Sequence, residues 1–215
     1  MRQSVMSEQS KAWIYEPADA GQVVEVIHWE YYDYKTILGL QDGSVKVQPS
    51  YSFFNTPSGT PVGGGVNTKE DSNIPKPLSV GSPYKFLIQE VCFSIMPVGR
   101  AFYAATAADK KFEADVVEIL TRGVATLKVL GVDRLEVSPL INLPSGSGII
   151  GTGQASAMFS AGWPVLSNRY PVEIGLHKDT SFEMLIDFPK GVFSVYNNLK
   201  IGVMFDGLLQ RPKGK

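Results

Sequence analysis

Residues 143–153 read LPSGSGIIGTG, which places Gly146, Gly148 and Gly151 in the Gly-x-Gly-x-x-Gly spacing that wraps backbone amides around a dinucleotide's pyrophosphate. How this stretch is read decides between an α/β nucleotide-binding fold and an all-β one. The fingerprint works only where the loop leaves a parallel strand at once and opens a helix whose N-terminal amides and dipole hold the phosphates. Here Pro139 and Pro144 stand between the preceding run, RLEVSPL, and the glycines. Downstream, QASAMFSAG is short for a crossover helix and ends at Gly162-Trp163-Pro164. Glu173 lies near the distance of a ribose-binding acid, but that role needs the architecture the prolines exclude. The stretch is therefore read as a loop between strands, where glycine permits tight turns and close packing.

Working outward, VATLKVL and RLEVSPL flank a Gly131-Val132-Asp133 turn, and YKFLIQEVCFSIM is extended. Between them KKFEADVVEILTRG sets Phe112, Val116, Ile119 and Leu120 at helical spacing and stops at Gly123, so one helix is expected there. On the C-terminal side VEIGLH, SFEMLIDF and LKIGVMF read as strands. Short strands with so little helix between them predict an antiparallel β-sandwich or barrel. Further upstream, KTILGLQ and SVKVQ flank Asp42-Gly43, a type I′ turn dipeptide, which predicts a β-hairpin or small meander over residues 22–48. VVEVIHWEYYDY, rich in β-branched and aromatic residues, is extended as well. Residues 49–83 are dense in Gly, Pro, Ser, Asn and Thr and read as a linker or a long surface excursion. The expected organisation is an N-terminal extension (1–80) carrying the hairpin and linker, a β domain (84–212), and a basic tail (213–215).

The 215 residues, 44% apolar, suffice for one well-buried domain or one domain plus an extension. Apolar runs such as Gly202-Val203-Met204-Phe205 are far shorter than the roughly 20 residues of a transmembrane helix. The opening MRQSVMSEQSKAW lacks the apolar core of a secretory signal, so the chain is expected to stay in the cytosol where it is made or to leave by a route other than secretion. Its single cysteine, Cys92, lies in an apolar run and is expected to be buried, and no intrachain disulfide can form. With a net charge of −1 there is no nucleic-acid-sized positive field, and the end RPKGK reads as a solvated tail.

Catalytic constellations are thin. His28 and His177 are the only histidines, and neither sits in a cluster with metal-ligand spacing. PSGSG places its serines out of phase with a nucleophile elbow. The carboxylate pairs Glu25 with Glu30 and Asp179 with Glu183 read as solvated charges at strand edges. No catalytic residue, cofactor or metal is expected. Trp29, Tyr31, Tyr32 and Tyr34 point to both faces of a strand, half core and half interface; with Trp163 they are also the stacking platform of an alternative, carbohydrate-binding reading.

The stretch PVEIGLHKDTSFEMLIDFPKGVFSVYNNLKIGVMFDGLLQRP, residues 171–212, resembles the closing strands of jelly-roll coat proteins of tailless icosahedral bacteriophages. There the last strand ends in a similar Leu-Asp-Gly…Arg phrase, matched here by Phe205-Asp206-Gly207 and Arg211. SPYKFLIQEVCFSI is similar to the opening strand of that domain, and GVATLKVLGVDRLEVSPLINLPSG to its middle hairpin and the glycine-containing loop after it. The resemblance covers residues 80–212 and implies a single eight-stranded jelly roll in place of the family's commoner double one. It implies a capsid subunit, located in the virion after synthesis in the host cytoplasm. Such a subunit builds an icosahedral shell through contacts with copies of itself and with other capsid proteins; an internal membrane is a feature of some relatives only.

On that reading Gly63, Gly64, Gly65, Gly146, Gly148 and Gly151 lie in segments whose conformation varies between nonequivalent neighbours. Trp13 and Tyr15, aromatics in an otherwise polar arm, join Trp29 and Tyr31 as candidate assembly contacts. Asp206 and Arg211 are expected to form a local ion pair that pins the C-terminal turn. The alternatives are a carbohydrate- or receptor-binding β-sandwich module of a virion and, with the glycine loop as its sole hint, an enzyme.

Overall fold

Period-two alternation sets which face of each strand is dry. In FEMLID, residues Phe182, Met184 and Ile186 are buried while Glu183, Leu185 and Asp187 are only partly covered. Leu199, Ile201, Val203 and Phe205 repeat the pattern in the last strand. The computed structural model describes residues 6–16, 23–40, 46–62, 65–98, 109–143, 170–178, 180–191 and 193–213. In chain order these form α1 (Glu8–Tyr15), β1 (Val24–Ile37), β2 (Ser50–Phe53), β3 (Pro61–Val62), β4 (Gly65–Val66), β5 (Lys85–Pro97), α2 (Asp109–Arg122), β6 (Val124–Val129), β7 (Val132–Pro139), a short 3-10 turn (Leu140–Asn142), β8 (Tyr170–Leu176), β9 (Phe182–Asp187) and β10 (Leu199–Pro212).

The expected antiparallel β-sandwich is present. One four-stranded sheet runs β1-β10-β5-β8, the other β2-β9-β6-β7, and β3 and β4 form a small separate ribbon. The pairing is nested: β1 with β10, β2 with β9, β5 with β8 and β6 with β7, all antiparallel. The sandwich is thus one long hairpin rolled so that successive layers fall alternately into the two sheets. Phe54, just after β2, bridges those sheets, with ring centroids 4.6 Å from Phe205 of β10 and 5.5 Å from Phe182 of β9. Burying a side chain of that size stabilises by about 1.5–3 kcal/mol.

Helix α2 forms where its apolar spacing predicts, with Ile119 buried and Val116 and Leu120 packed on the core. It stops at Gly123, where a Cβ would stand 2.2 Å from the Leu140 side chain. The turn between β6 and β7 falls at Leu130-Gly131, a residue earlier than the expected Gly131-Val132-Asp133, and Val132 and Asp133 already belong to β7.

The expected hairpin over residues 22–48 is not formed among the described residues. β1 pairs with β10 along its whole length, from Val24 opposite Pro212 to Ile37 opposite Leu199. Beyond it, the Leu40 N–H donates to the Val195 carbonyl at 2.9 Å and the Val47 N–H to that of Phe193 at 2.8 Å. Both flanks of the expected turn are therefore tied to residues 193–195; Asp42 and Gly43 lie outside the described residues. A distant strand of equal length buries Tyr31 and Ile37, which a local hairpin would leave half wet. For the same reason the boundary drawn near residue 80 cuts through the sandwich, since β1 and β2 belong to its two sheets.

The segment read as a linker, 49–83, is ordered wherever it is described. Asn67 anchors it, its amide nitrogen donating to the Thr56 carbonyl at 2.6 Å, while its N–H and carbonyl pair with Thr60 and Gly59.

Candidate assembly surface

Helix α1 is eight residues long, too short to persist on its own, and the first sheet holds both of its ends. At the N-terminus the Ser7 hydroxyl accepts the Ser10 N–H, and the Glu173 carboxylate of β8 accepts the Ser7 N–H and the Ser10 hydroxyl, each at 2.8 Å. At the C-terminus the buried Lys85 ammonium donates to the Glu16 carbonyl at 2.9 Å. The buried Gln210 amide donates to the carbonyls of Ile14 at 2.6 Å and Glu16 at 2.9 Å. Lys85 and Gln210 face each other in register on β5 and β10. An anion at the helix N-terminus and a cation at its C-terminus complement the macrodipole. The hydrogen bonds from Ser7, then that from Ser10, hold the Glu173 carboxyl below the usual carboxylate range.

This clamp places two of the four candidate contacts. Trp13 lies across Gly175, whose added Cβ would meet the indole at 3.1 Å, and the Lys85 ammonium sits 5.2 Å from the ring centroid. Trp13 thus packs on its own domain, while Tyr15, at the end of the same helix, is 59% exposed. A groove of about 530 Å³ runs beside α1, lined by Ser10, Trp13, Leu130, Glu173 and Thr180 among others.

The other two candidates lie on β1, an edge strand. Tyr31 is a core residue at 3% exposure, edge-on to Phe86 at 4.9 Å, which removes it from the surface. Trp29, at 38% exposure, stays on it. The segment after β4 covers the outer edge of β1 from residue 30 to 34. The Tyr34 N–H donates to the Asp71 carbonyl and the Asn73 N–H to that of Tyr32, and the Asn73 side chain bonds the Tyr32 N–H and the Glu30 carbonyl. The Tyr32 hydroxyl donates to the Lys69 carbonyl. Asp71 also meets the Lys200 ammonium at 2.6 Å; burial pushes its carboxyl up, but the bonds from Lys200 and Thr68 outweigh that and hold it low.

Under this cover lies Asp33, fully buried, accepting the Phe54 N–H at 2.7 Å with the Lys35 ammonium 3.1 Å away. Burial raises its pKa, and the Lys35 charge and the hydrogen bonds only partly oppose that.

The expected Asp206–Arg211 pair is not formed. Both residues lie inside β10, five positions apart and so on opposite faces of the strand, and each finds its partner on β1. Arg211 meets Glu25, its register neighbour, at 2.6 Å, and Asp206 meets His28 diagonally at 3.0 Å. Of the remaining carboxylates read as solvated, Glu183 accepts the Ser52 hydroxyl at 2.6 Å, and Asp179 lies outside the described residues.

Gly65 stands in the exposed β3–β4 ribbon; Gly63, Gly64, Gly146, Gly148, Gly151 and Trp163 lie outside the described residues. Cys92 is buried, as its apolar run predicts. Among the described residues no group of three or more His, Cys, Asp or Glu could hold a metal ion, and no helix is long and apolar enough to cross a membrane.

The described residues thus form an eight-stranded antiparallel β-sandwich with a clamped N-terminal helix and a sheet edge covered over part of its length. No protein-family model, curated protein or solved structure matches the chain.

Proposed function

We propose that the chain is a structural subunit of a virion, a single jelly roll that associates with copies of itself and with other capsid proteins into an icosahedral shell. The observation that carries this reading is the nested pairing of β1 with β10, β2 with β9, β5 with β8 and β6 with β7. Eight strands paired in that order support the jelly-roll reading, an architecture shared by viral capsid and lectin domains. A fold of this kind supports a function by analogy, so the surface must supply the rest. Here the support is an edge strand, β1, left partly open for a neighbour, with Trp29 exposed on it. Shell subunits work through such repeated surfaces and need no reaction centre. The lectin reading asks for a platform of exposed aromatics, yet Tyr31 is in the core and the Tyr32 hydroxyl is tied to Lys69. The test is negative-stain imaging of the purified protein as concentration and ionic strength rise. Closed particles of uniform diameter are expected; unassembled protein under all conditions would contradict the proposal.

A further inference from the structure

We propose that the open part of the β1 edge, residues 24–28, is a two-fold self-contact. There β1 of a second copy adds antiparallel, Val26 opposite Val26, and joins two four-stranded sheets into one. The inference rests on the self-association reading above and names the surface that would carry it.

The backbone fixes which groups are available. In an antiparallel ladder the N–H and carbonyl of one residue point to the same side, and successive residues alternate sides. The Val23 carbonyl accepts the Lys213 N–H from the β10 side, so the odd-numbered residues face β10. Glu30, Tyr32 and Tyr34 face outward and are met there by Asp71 and Asn73. Val24, Val26 and His28 face outward too, and nothing among the described residues meets their backbone groups. An uncovered row of this kind is a template for another strand.

Side chains choose the occupant and the register. With Val26 on the two-fold axis, Val24 faces His28, Glu25 faces Ile27 and Val23 faces Trp29. Val23 is 68% and Trp29 38% exposed, so this register covers both exposed apolar side chains of the stretch at once. No like charges meet, because Glu25 faces an apolar residue and its carboxylate is held by Arg211. Sliding the axis to residue 25 sets Glu25 against Glu25, a destabilising pair. Sliding it to residue 27 sets Val24 against Glu30, whose carbonyl the Asn73 amide already occupies. Asn73 thus ends the open row one step beyond what a copy centred on Val26 requires. So short a ladder buries less than the roughly 1,200–2,000 Å² of a stable isolated complex, which suits one weak contact among several in a shell.

The experiment introduces a thiol on the axis of the full chain. Hydrogen-bonded antiparallel neighbours have Cα atoms about 5.5 Å apart, within disulfide reach. The native Cys92 is buried and leaves Val26→Cys as the accessible thiol. Under mild oxidation at concentrations where the protein self-associates, Val26→Cys should give linked dimers at least about ten-fold faster than the exposed Thr36→Cys on the same strand. Equal rates would overturn the contact. A second variant, Val26→Pro, removes an outward N–H and leaves the β10 ladder intact. It should melt like the parent but self-associate about ten-fold more weakly by sedimentation; unchanged association would also overturn the contact. Shells that form without preferential Val26→Cys linkage refute this contact and leave the shell reading standing. Linkage without shells supports the contact and refutes the shell reading.

Discussion

Glu173 and Ser7 stand 166 positions apart in sequence, yet the Glu173 carboxylate accepts the Ser7 N–H at 2.8 Å and closes the first turn of α1. A helix of two turns is thereby made part of the sheet it lies on. Replacing Glu173 with Ala should remove hydrogen-exchange protection from the amides of Ser10 and Lys11 while β9 keeps its own. The pH dependence follows from the lowered pKa. The contribution is fully present above the unfolded value, about 4.3 for a glutamate, and is lost as pH falls through the lower folded value. Protection of α1 should therefore fade in acid at the low end of the carboxylate range, and Glu173→Ala should abolish that dependence.

The other end of α1 depends on Gln210, which is 1% exposed and donates to two helix carbonyls. Gln210→Leu keeps the volume and removes the donor, leaving the Ile14 carbonyl buried without it. A loss of about 1–3 kcal/mol in urea denaturation is expected, with an unchanged slope.

Two glycines of β10 should respond differently to alanine. At Gly202 the new methyl would fall on the Tyr34 ring, 2.1 Å away, and a ring can swing aside at a cost of about 1–3 kcal/mol. At Gly207 it would fall 1.9 Å from the Leu87 carbonyl oxygen, beside a β-bulge, where only backbone can yield. Gly207→Ala should be the more damaging in thermal unfolding; the reverse order would show that the bulge relaxes more readily than the ring.

Lys35→Met strips the cation from a fully buried carboxylate. Breaking such a pair costs about 3–5 kcal/mol when the remaining charge is uncompensated. Asp33 already holds its proton to a higher pH than an unfolded aspartate, because of burial. Its contribution to stability therefore falls as pH rises from the unfolded value of about 3.9 through the raised folded one, and losing Lys35 widens that window. The deficit of Lys35→Met should be largest at neutral pH and should shrink as acid protonates Asp33, which denaturation at several pH values will read directly.

The strands from β5 onward and helix α2 were legible because each carries its own period: alternation in FEMLID, helical spacing of Val116, Ile119 and Leu120 before Gly123. What the sequence concealed is non-local. The Asp42-Gly43 dipeptide advertises a hairpin, but β1 is claimed by β10, the far end of the chain. Helix α1 has a single buried residue, Ile14, and so no apolar stripe; its one visible signal is the Ser7 cap, and Glu173, Lys85 and Gln210 supply the rest from elsewhere. The Gly- and Pro-rich composition of residues 49–83 reads as a linker because its order comes from side-chain bonds of Asn67, Asp71 and Asn73, which leave no periodic trace. Among the aromatics of β1, alternation predicted that some would be core, but Trp29 and Tyr31 share one face of the strand, so alternation could not separate buried Tyr31 from exposed Trp29.

Self-association is read without any label by the native mass across a concentration series, measured by light scattering. A shell subunit should grow from the 23.5 kDa chain to discrete symmetric multiples and then to closed shells. A constant 23.5 kDa species at every concentration would contradict self-association.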